Sequence, residues 1–412
     1  MPASSSPAKR TQVIVVGAGP VGLLAALRLR DQGIDVRIVE QHGEQGTQTF
    51  PVVLHPGSLR ILGSLGLTEA LYWRGRPINQ LAIYTEGERR AVLDLPKAAG
   101  ISPGALTLPQ DVLRKALANA LAVRGVDVEY GTRLVRLEQS ADTVRGWLER
   151  AGSGSSLTLA TSSAHGVGGF EADYVIGADG YDSRVRTALG IELVEHGSLQ
   201  SYAFFDALTR RAGVEAQLAL SEESSNAVYP VQGGLARFSF QIARSLDEAP
   251  DVEALRELIA SRLPWYAERI ETLEWSAVAE FRHALVERFG VGRVWLAGEA
   301  AHLTGPLGVQ SLNIGLDEAS ELGLRIGDAL RHPSHAPFGD ELDRKRRQQW
   351  RQLLGLEERA ALGGRSPEWA WRHLGRLMSC LPASGSDLDD LLAQLRLTPS
   401  ARPAEPDAAS LR

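Results

Sequence analysis

The sequence predicts an α/β fold, α+β overall: a Rossmann-like nucleotide-binding domain assembled from discontinuous pieces, an inserted β-sheet substrate domain, and helices toward the C-terminal end. Three observations predict it. A glycine-rich turn near the start joins a short apolar run to a helical pattern. Short buried-strand runs of the same kind return at Phe170 to Ala178 and at Val294 to Ala297. Between these, from about Ser198 to Ile242, alternation with a period of two takes over, as half-buried strands require.

Gln12 to Val16 is apolar throughout, the pattern of a parallel strand covered on both faces. Val21 to Arg30 has helical periodicity, Gly33 closes that helix, and Asp35 to Glu40 is a second buried strand. Leu59 to Leu71 and Gln110 to Arg124 are predicted helices. Val126 to Gln139, Arg145 to Arg150 and Leu157 to Thr161 alternate as strands, with Gly152-Ser153-Gly154-Ser155-Ser156 as a hairpin turn. Val252 to Leu263 is predicted helical, as are Asn313 to Leu330, Asp340 to Leu362, Pro367 to Met378 and Asp387 to Leu395. The expected division gives residues 11–75, 103–190 and 284–340 to the nucleotide-binding domain and 76–102 and 191–283 to the β-sheet domain. Residues 341–396 form the terminal helices, 1–10 a disordered start and 397–412 a flexible tail.

A chain of 412 residues can bury a large core and divide into two domains. Its formal charge of −6, from 44 basic and 50 acidic side chains, offers no basic surface for nucleic acid or an anionic membrane. The cationic run Arg344-Lys345-Arg346-Arg347 falls in a polar helical stretch and reads as a solvated face. Cys380 is the sole cysteine, which excludes an internal disulfide and a multi-cysteine metal site and suits a reducing, cytoplasmic compartment. The nine His residues show no metal-ligand spacing, so no metal is expected. Lys9-Arg10 ahead of the apolar run Val13 to Leu29 has the outline of a signal peptide, but Gly17, Gly19, Pro20 and Gly22 interrupt it, and a nucleotide-binding turn accounts for them.

That turn reads Gly17-Ala18-Gly19-Pro20-Val21-Gly22. Gly17 permits the tight turn, Gly19 lets the backbone approach a pyrophosphate, and Gly22 lets helix and strand pack closely. The helix N-terminus attracts the phosphate charge. Glu40, at the end of the second strand, can accept hydrogen bonds from both hydroxyls of a ribose, which argues against a 2′-phosphate there. A second stretch, Asp173 to Arg186, puts Asp179 and Gly180 at the end of a buried strand, aimed at the crevice where open α/β sheets bind ligands. An Asp-Gly turn with Ser183 capping the next helix is the alternative for these residues. The third stretch, Gly292 to Asn313, ends a buried strand at Gly298-Glu299 and reaches the long helix through a loop with Pro306, Gly308, Val309 and Ser311. Glu299 can bind a polyol hydroxyl. The loop and helix start can offer N–H groups to a group that becomes anionic on reduction, such as the N1–C2=O edge of a flavin.

In this order the three stretches resemble the class A, p-hydroxybenzoate hydroxylase-like family of FAD-dependent aromatic monooxygenases, over roughly Gln12 to Leu330. The resemblance also takes in Gln110, within Leu108-Pro109-Gln110-Asp111-Val112-Leu113-Arg114, which matches the family's flavin-contacting Gln at a helix start. It implies bound FAD, with Glu40 on the adenosine ribose and Asp179 near the pyrophosphate and the nicotinamide coenzyme path. It further implies Glu299 on the ribityl chain and Pro306 close to the reactive face of the isoalloxazine. The implied reaction uses NADPH or NADH to reduce the flavin, forms a C4a-hydroperoxyflavin with O2, and passes one oxygen atom to an electron-rich aromatic substrate, phenolic or polycyclic, natural products included. The helix near Asn313 would favour the anionic reduced flavin. A monomer or homodimer in compact form, without the thioredoxin-like extra domain that some members carry, is what the resemblance implies.

Several positions depart from the family pattern. Glu299 stands where Asp is usual, Val309 and Ser311 where glycines are usual, and Phe50 where many members have an Arg. The catalytic residue is not identified. His55, Tyr229 and His283 are candidates for activating the substrate because the family's pocket is built from those regions, while a hydrogen-bonded His or a core Tyr explains each as well. Phe204, Tyr229, Arg237 and Phe240, with Pro306, are candidates for the substrate pocket, although alternation would send about half of the strand residues to the core. An epoxidase, a Baeyer–Villiger oxygenase, or a flavin-binding protein that has lost oxygenation shares the fold. A halogenase is disfavoured, because Trp369-Ala370-Trp371 lacks the Ile-Pro that should follow and Lys97 is poorly placed for a pocket lysine.

Overall fold

The computed structural model describes residues 9–44, 50–150, 168–210, 215–243, 249–266, 270–332, 339–356 and 366–397. The first eight residues, the turn expected at Gly152, the strand expected at Leu157 to Thr161 and the tail from 398 lie outside them. The architecture is mixed α/β, built among the described residues on three sheets.

An uninterrupted run of Val and Ile cannot face water on either side, and Val13, Ile14 and Val15 are fully buried. They lie in the strand Lys9–Val16, which pairs in parallel with Val36–Val39 and with Gly168–Gly177. Val128–Glu129 and Val294–Leu296 extend the parallel set at its two sides. Thr132–Gln139 and Val144–Arg150 join it as an antiparallel pair through Gly168–Gly177. This sheet therefore draws on the start, middle and late parts of the chain. The first helix, Pro20–Asp31, packs between it and the long helix, Gln310–Arg331.

The second sheet has eight strands in the order His302–Leu303, Ile270–Val286, Leu193–Thr209, Leu235–Ile242, Ser225–Pro230, Ala216–Leu220, Gln80–Thr85 and Glu88–Asp94. Its two faces follow the period of two. Ala203, Phe205, Phe238 and Phe240 pack on one face with the helix Val252–Arg262, while Tyr202, Phe204 and Tyr229 face the other way. That second face is covered by the helices Glu368–Arg372, Leu374–Cys380 and Ser386–Gln394, whose Ala370, Leu377, Leu388 and Leu391 are buried against it. A small third sheet, Pro51–Leu54, Ala105–Pro109 and Arg76–Ile78, carries further wall residues of the site.

Local chemistry moves several expected boundaries. The expected helix Leu59 to Leu71 is two, Pro56–Ser64 and Thr68–Tyr72, interrupted at Gly66 with φ +78°. Val126 to Gln139 breaks at Gly131, and Pro367 to Met378 is two short helices. The opening strand begins at Lys9, inside the stretch expected to be disordered, and Leu397, assigned to the tail, is fully buried. The cationic run is not uniformly solvated. Arg346 is 2% exposed and is bonded to Asp317 and Glu321, because Leu342, Arg346, Trp350 and Leu353 share the inward face of the helix Gly339–Leu353.

Candidate active site

The opening strand ends in a turn that only glycine fits. Gly17 has φ +104°, and a Cβ there would lie 2.2 Å from the carbonyl oxygen of Ala178. A Cβ on Gly22 would lie 1.9 Å from the carbonyl oxygen of Gly17, so the first helix can sit directly on the turn. Gly19 is different: nothing among the described residues lies within 4 Å of its missing Cβ, and it borders two cavities. The first helix starts there without a side-chain cap, leaving its first-turn N–H groups for an anionic occupant.

The smaller of these cavities, about 210 Å³, is lined by Gly17, Gly19, Glu40, Asp179, Gly180 and Arg184, among others. Glu40 Oε2 accepts from the Ala18 N–H at 2.8 Å, and Oε1 from the His42 N–H at 2.9 Å. Asp179 is at the strand end, but its carboxylate is turned to the next helix. It accepts from Ser183 Oγ at 2.6 Å and from the Arg184 and Val185 N–H groups at 2.7 and 3.2 Å, while Ser183 Oγ accepts from the Arg186 N–H. This is the capped Asp-Gly turn, with Gly180 at φ +74°. Burial pushes the Asp179 carboxyl up from its ordinary value, against the pull of these hydrogen bonds.

The main cavity, about 630 Å³, opens from the same turn, sharing Gly19, Ala178 and Gly180 with the smaller one. The two adjoin at these residues, by the C-terminal ends of the parallel strands. Pro20, Val21, Gln110, Glu299, Pro306, Val309 and Ser311 contribute to the main wall on one side, and Phe204, Tyr229 and Arg237 on the other. Gln110 is the first residue of the helix Gln110–Val123, and its N–H donates to the Phe50 carbonyl. Glu299 projects into the cavity space, and the protein around it raises its pKa by desolvation, with the nearby His302 opposing. Ser311 Oγ is buried without a hydrogen-bond partner among the described residues, an orphan that a bound molecule could satisfy. Val309 occupies the left-handed region at φ +50°, a strained conformation for a β-branched residue.

On the sheet side Arg237 is 7% exposed and donates from Nε and Nη2 to both oxygens of Asp206 at 2.5 Å. Its guanidinium lies 5.0 Å from the Trp275 ring and 5.9 Å from the rings of Phe50 and Phe204. Phe50 thus walls the cavity beside an arginine delivered from the sheet. Tyr229 donates its hydroxyl to the Leu307 carbonyl at 3.1 Å, and burial, with Cys380 nearby, pushes its pKa far above the usual value. Phe240 does not line the cavity. It stands three residues from Arg237, so the period of two puts it on the opposite face, fully buried with Phe205 and Phe238.

The structure also separates other expected site residues from the cavity wall. Asn313 is buried in the first turn of the long helix and bonded to His55 N, Ser58 Oγ, and the carbonyls of Val53 and Val309. Gly308 is a packing glycine, since a Cβ there would meet the Ser379 carbonyl oxygen at 2.2 Å. His55 is 1% exposed, lies 2.7 Å from the Gly308 carbonyl through Nε2, and is driven down to a pKa of about 3 by burial, so it is neutral and away from the cavity. His283 lines a neighbouring cavity instead, and burial together with His196 lowers its pKa.

Sequence patterning did not single out Glu318 or Asp206, two of the groups that support the wall. Glu318 is buried behind Gly298 and accepts from the Gly298 N–H at 3.0 Å and Trp350 Nε1 at 2.9 Å, with His302 Nε2 at 2.9 Å. The His302 ring stacks on Trp350 at 3.8 Å. Asp206 lies directly across from Arg237 in the antiparallel register, a pairing that could be read only once strand register was known.

A family described as "FAD binding domain" matches residues 10–355 of the chain. The 6-methylpretetramide 4-monooxygenase of Streptomyces rimosus is 28% identical over 336 residues, covering 78% of this chain and 56% of that protein. The 3-(3-hydroxy-phenyl)propionate/3-hydroxycinnamic acid hydroxylase of Mycobacterium avium is 28% identical over 352 residues, covering 84% and 60%. The chain thus spans 56% and 60% of the length of these two curated relatives. Among solved structures, the p-nitrophenol 4-monooxygenase PnpA of Pseudomonas putida DLL-E4 superposes with a TM-score of 0.68 at 21% identity, covering 84% of this chain and 86% of that one. The flavin-dependent monooxygenase PieE, in complex with FAD and substrate, has a TM-score of 0.68 at 21% identity, covering 95% and 71%. These likenesses establish the shared fold. No described helix is long and apolar enough to cross a membrane.

Proposed function

The chain belongs to the FAD binding domain family, and from that premise we propose that it is an NADPH- or NADH-dependent monooxygenase that inserts one oxygen atom from O2 into an electron-rich aromatic substrate. The observation that carries this reading is that a dinucleotide-type turn borders two adjoining cavities, the larger of them a largely apolar, aromatic-lined chamber. The relatives' names point the same way: one is a 6-methylpretetramide monooxygenase and one a hydroxylase of hydroxyphenylpropionate and hydroxycinnamic acid.

The residues present fit FAD. Gly19 leaves room for a pyrophosphate against the uncapped helix start, and Ser311 Oγ has an unmet hydrogen bond in the wall. In this reading Gly17 to Gly22 hold the pyrophosphate and Glu40 exchanges its contact with the Ala18 N–H for the adenosine ribose. Glu299 and Gln110 take the ribityl and ring region, with Pro306 and Val309 closing the loop over it. The chemistry that FAD supplies when bound is two-electron redox with the nicotinamide coenzyme and activation of dioxygen.

The chain's own contribution is position and exclusion of water. Phe204 offers an aromatic face to the substrate ring, and Arg237, its charge balanced by a bidentate pair with Asp206, holds the aromatic wall of Phe50, Phe204 and Trp275 in place beside it. Tyr229 stays protonated, and its hydroxyl, committed to Leu307, orients that loop rather than accepting a proton. Asn313 and Gly308, expected as direct cofactor contacts, act in this reading through the loop they hold. The single, buried Cys380 suits the reducing cytoplasm in which nicotinamide coenzymes are available.

The test is to purify the protein, identify released FAD, and follow NADPH and NADH oxidation with phenolic and polycyclic aromatics. Coenzyme oxidation that depends on the aromatic compound, with a hydroxylated product, supports the reading. Reduction of the flavin with peroxide as the sole product, whatever aromatic is added, contradicts it.

A further inference from the structure

Next to the main cavity lies a second one of about 680 Å³, between the same face of the second sheet and the helix Leu374–Cys380. The two share Gly305 and Leu307 in their walls. Gly305 keeps this boundary thin. A Cβ there would lie 3.5 Å from Gln200 Oε1, 3.6 Å from His283 Nε2 and 3.7 Å from the Tyr202 hydroxyl. Polar atoms from three residues thus converge on the one place where the loop has no side chain.

Two arginines in this wall carry charge that the described residues do not neutralise. Arg376 donates from Nη1 to Ser225 Oγ at 3.0 Å and Gln241 Oε1 at 3.2 Å, and from Nη2 to the Glu222 carbonyl at 2.6 Å. Arg262 donates to Ser224 Oγ. All four acceptors are neutral, and among the described residues neither arginine has a carboxylate within ion-pair distance. Both are half-buried. The third arginine of the wall, Arg372, is already paired with Glu368 at 2.9 Å and Glu86 at 3.7 Å. Glu223 is the one acid among the described wall residues, and it is exposed. Half-buried guanidinium groups held by neutral acceptors retain their charge, and Arg376, with its Nη1 and one Nη2 N–H engaged, still has its Nε N–H and a second Nη2 N–H to offer a carboxylate.

We propose that this second cavity is a carboxylate-binding chamber, in which Arg376 and Arg262 receive the acidic end of an elongated aromatic substrate whose ring lies in the main cavity. The inference rests on the reading of the main cavity given above. It names the substrate class more closely: an aromatic ring joined to a carboxylate by a spacer long enough to pass Gly305 and Tyr202.

The FAD-loaded protein should be titrated, by flavin absorbance, with hydroxynaphthyl alkanoic acids of increasing chain length and with their matching primary amides. At a favoured length the acid should bind about tenfold to hundredfold more tightly than its amide. That ratio should fall close to one in Arg376→Gln and in Arg262→Gln, and recover in part in Arg376→Lys, which restores charge without the fork. Should Arg376→Gln fail to retain FAD, Arg262→Gln carries the test. Equal affinity of acid and amide at every length, or a preference that survives both substitutions, overturns the proposal. Coenzyme oxidation and product mass are read in the same samples. Acid selectivity without oxygenated product retains the chamber and removes the oxygenase reading. Oxygenated product without acid selectivity does the reverse.

Discussion

Replacing Asn313 by Ala should cost about 3–5 kcal/mol of stability and loosen the grip on FAD, although the side chain does not reach the cavity. Asn313 is 2% exposed and satisfies its whole amide: the His55 N–H and Ser58 Oγ donate to Oδ1 at 2.8 and 2.7 Å, and Nδ2 donates to the Val53 and Val309 carbonyls at 2.8 and 2.9 Å. The Val309 carbonyl keeps a second donor, the Asn313 backbone N–H at 3.4 Å. The substitution therefore strands three buried groups, each worth about 1–3 kcal/mol when left unmade, with Ser58 at the low end because its hydroxyl can turn. Val53 and Val309 are both wall residues, so the loss should spread from the third sheet to the start of the long helix. Urea unfolding of the FAD-loaded and FAD-free protein, with FAD retention on gel filtration, measures both effects. A loss below about 1 kcal/mol, with FAD retained as in the wild type, would refute the reasoning that this amide locks the two walls together.

Phe240→Ala should destabilise the protein by about 3–5 kcal/mol while leaving aromatic-ligand affinity in the folded fraction unchanged, because Phe240 packs on the far face of the sheet. Phe204→Ala should do the opposite in emphasis, and ligand titrations of the two variants decide. Arg237→Ala strands the Asp206 carboxylate and should cost about 3–5 kcal/mol, whereas the double variant Arg237→Met with Asp206→Asn should cost less than the single one in urea unfolding. Burial alone would raise the Glu318 carboxyl, but His302, Arg346 and the Gly298 N–H outweigh it and hold the pKa below the ordinary 4.5. A lowered carboxyl gives stability that is present above the unfolded value and lost as pH falls through the folded one. The stability gap between wild type and Glu318→Gln should therefore be full at neutral pH and shrink below about pH 4.5; a gap independent of pH contradicts the assignment.

What could be read from the sequence follows the range of the physics involved. The requirement for glycine at Gly17 and Gly22 is local, set by a turn and one helix packed on it, and the structure gives each a contact that no side chain could share. The buried parallel strands were legible for the same reason, since a Val/Ile run such as Val13 to Val16 admits few other environments. Phe240 shows a signal present but not followed to its end, because residues three apart on one strand cannot face the same pocket. The split of Leu59 to Leu71 at Gly66 is another. Asn313 and Gly308 were found by pattern, but their partners, at Val53 to Ser58 and at Ser379, are distant in the chain and set by tertiary packing. The pairs Glu318 with His302 and Asp206 with Arg237 needed helix facing and strand register, which periodicity alone does not supply. The buried Arg346 inside a cationic run was hidden for the same reason.

The central claim is that the main cavity directs one atom of O2 into an aromatic ring. It is tested most directly by turning over an accepted phenolic substrate under 18O2 with NADPH or NADH and weighing the product. The account predicts one 18O atom in the product for each coenzyme oxidised in the coupled reaction. Product oxygen drawn from water, or coenzyme oxidised with peroxide formed and the aromatic recovered unchanged, contradicts it.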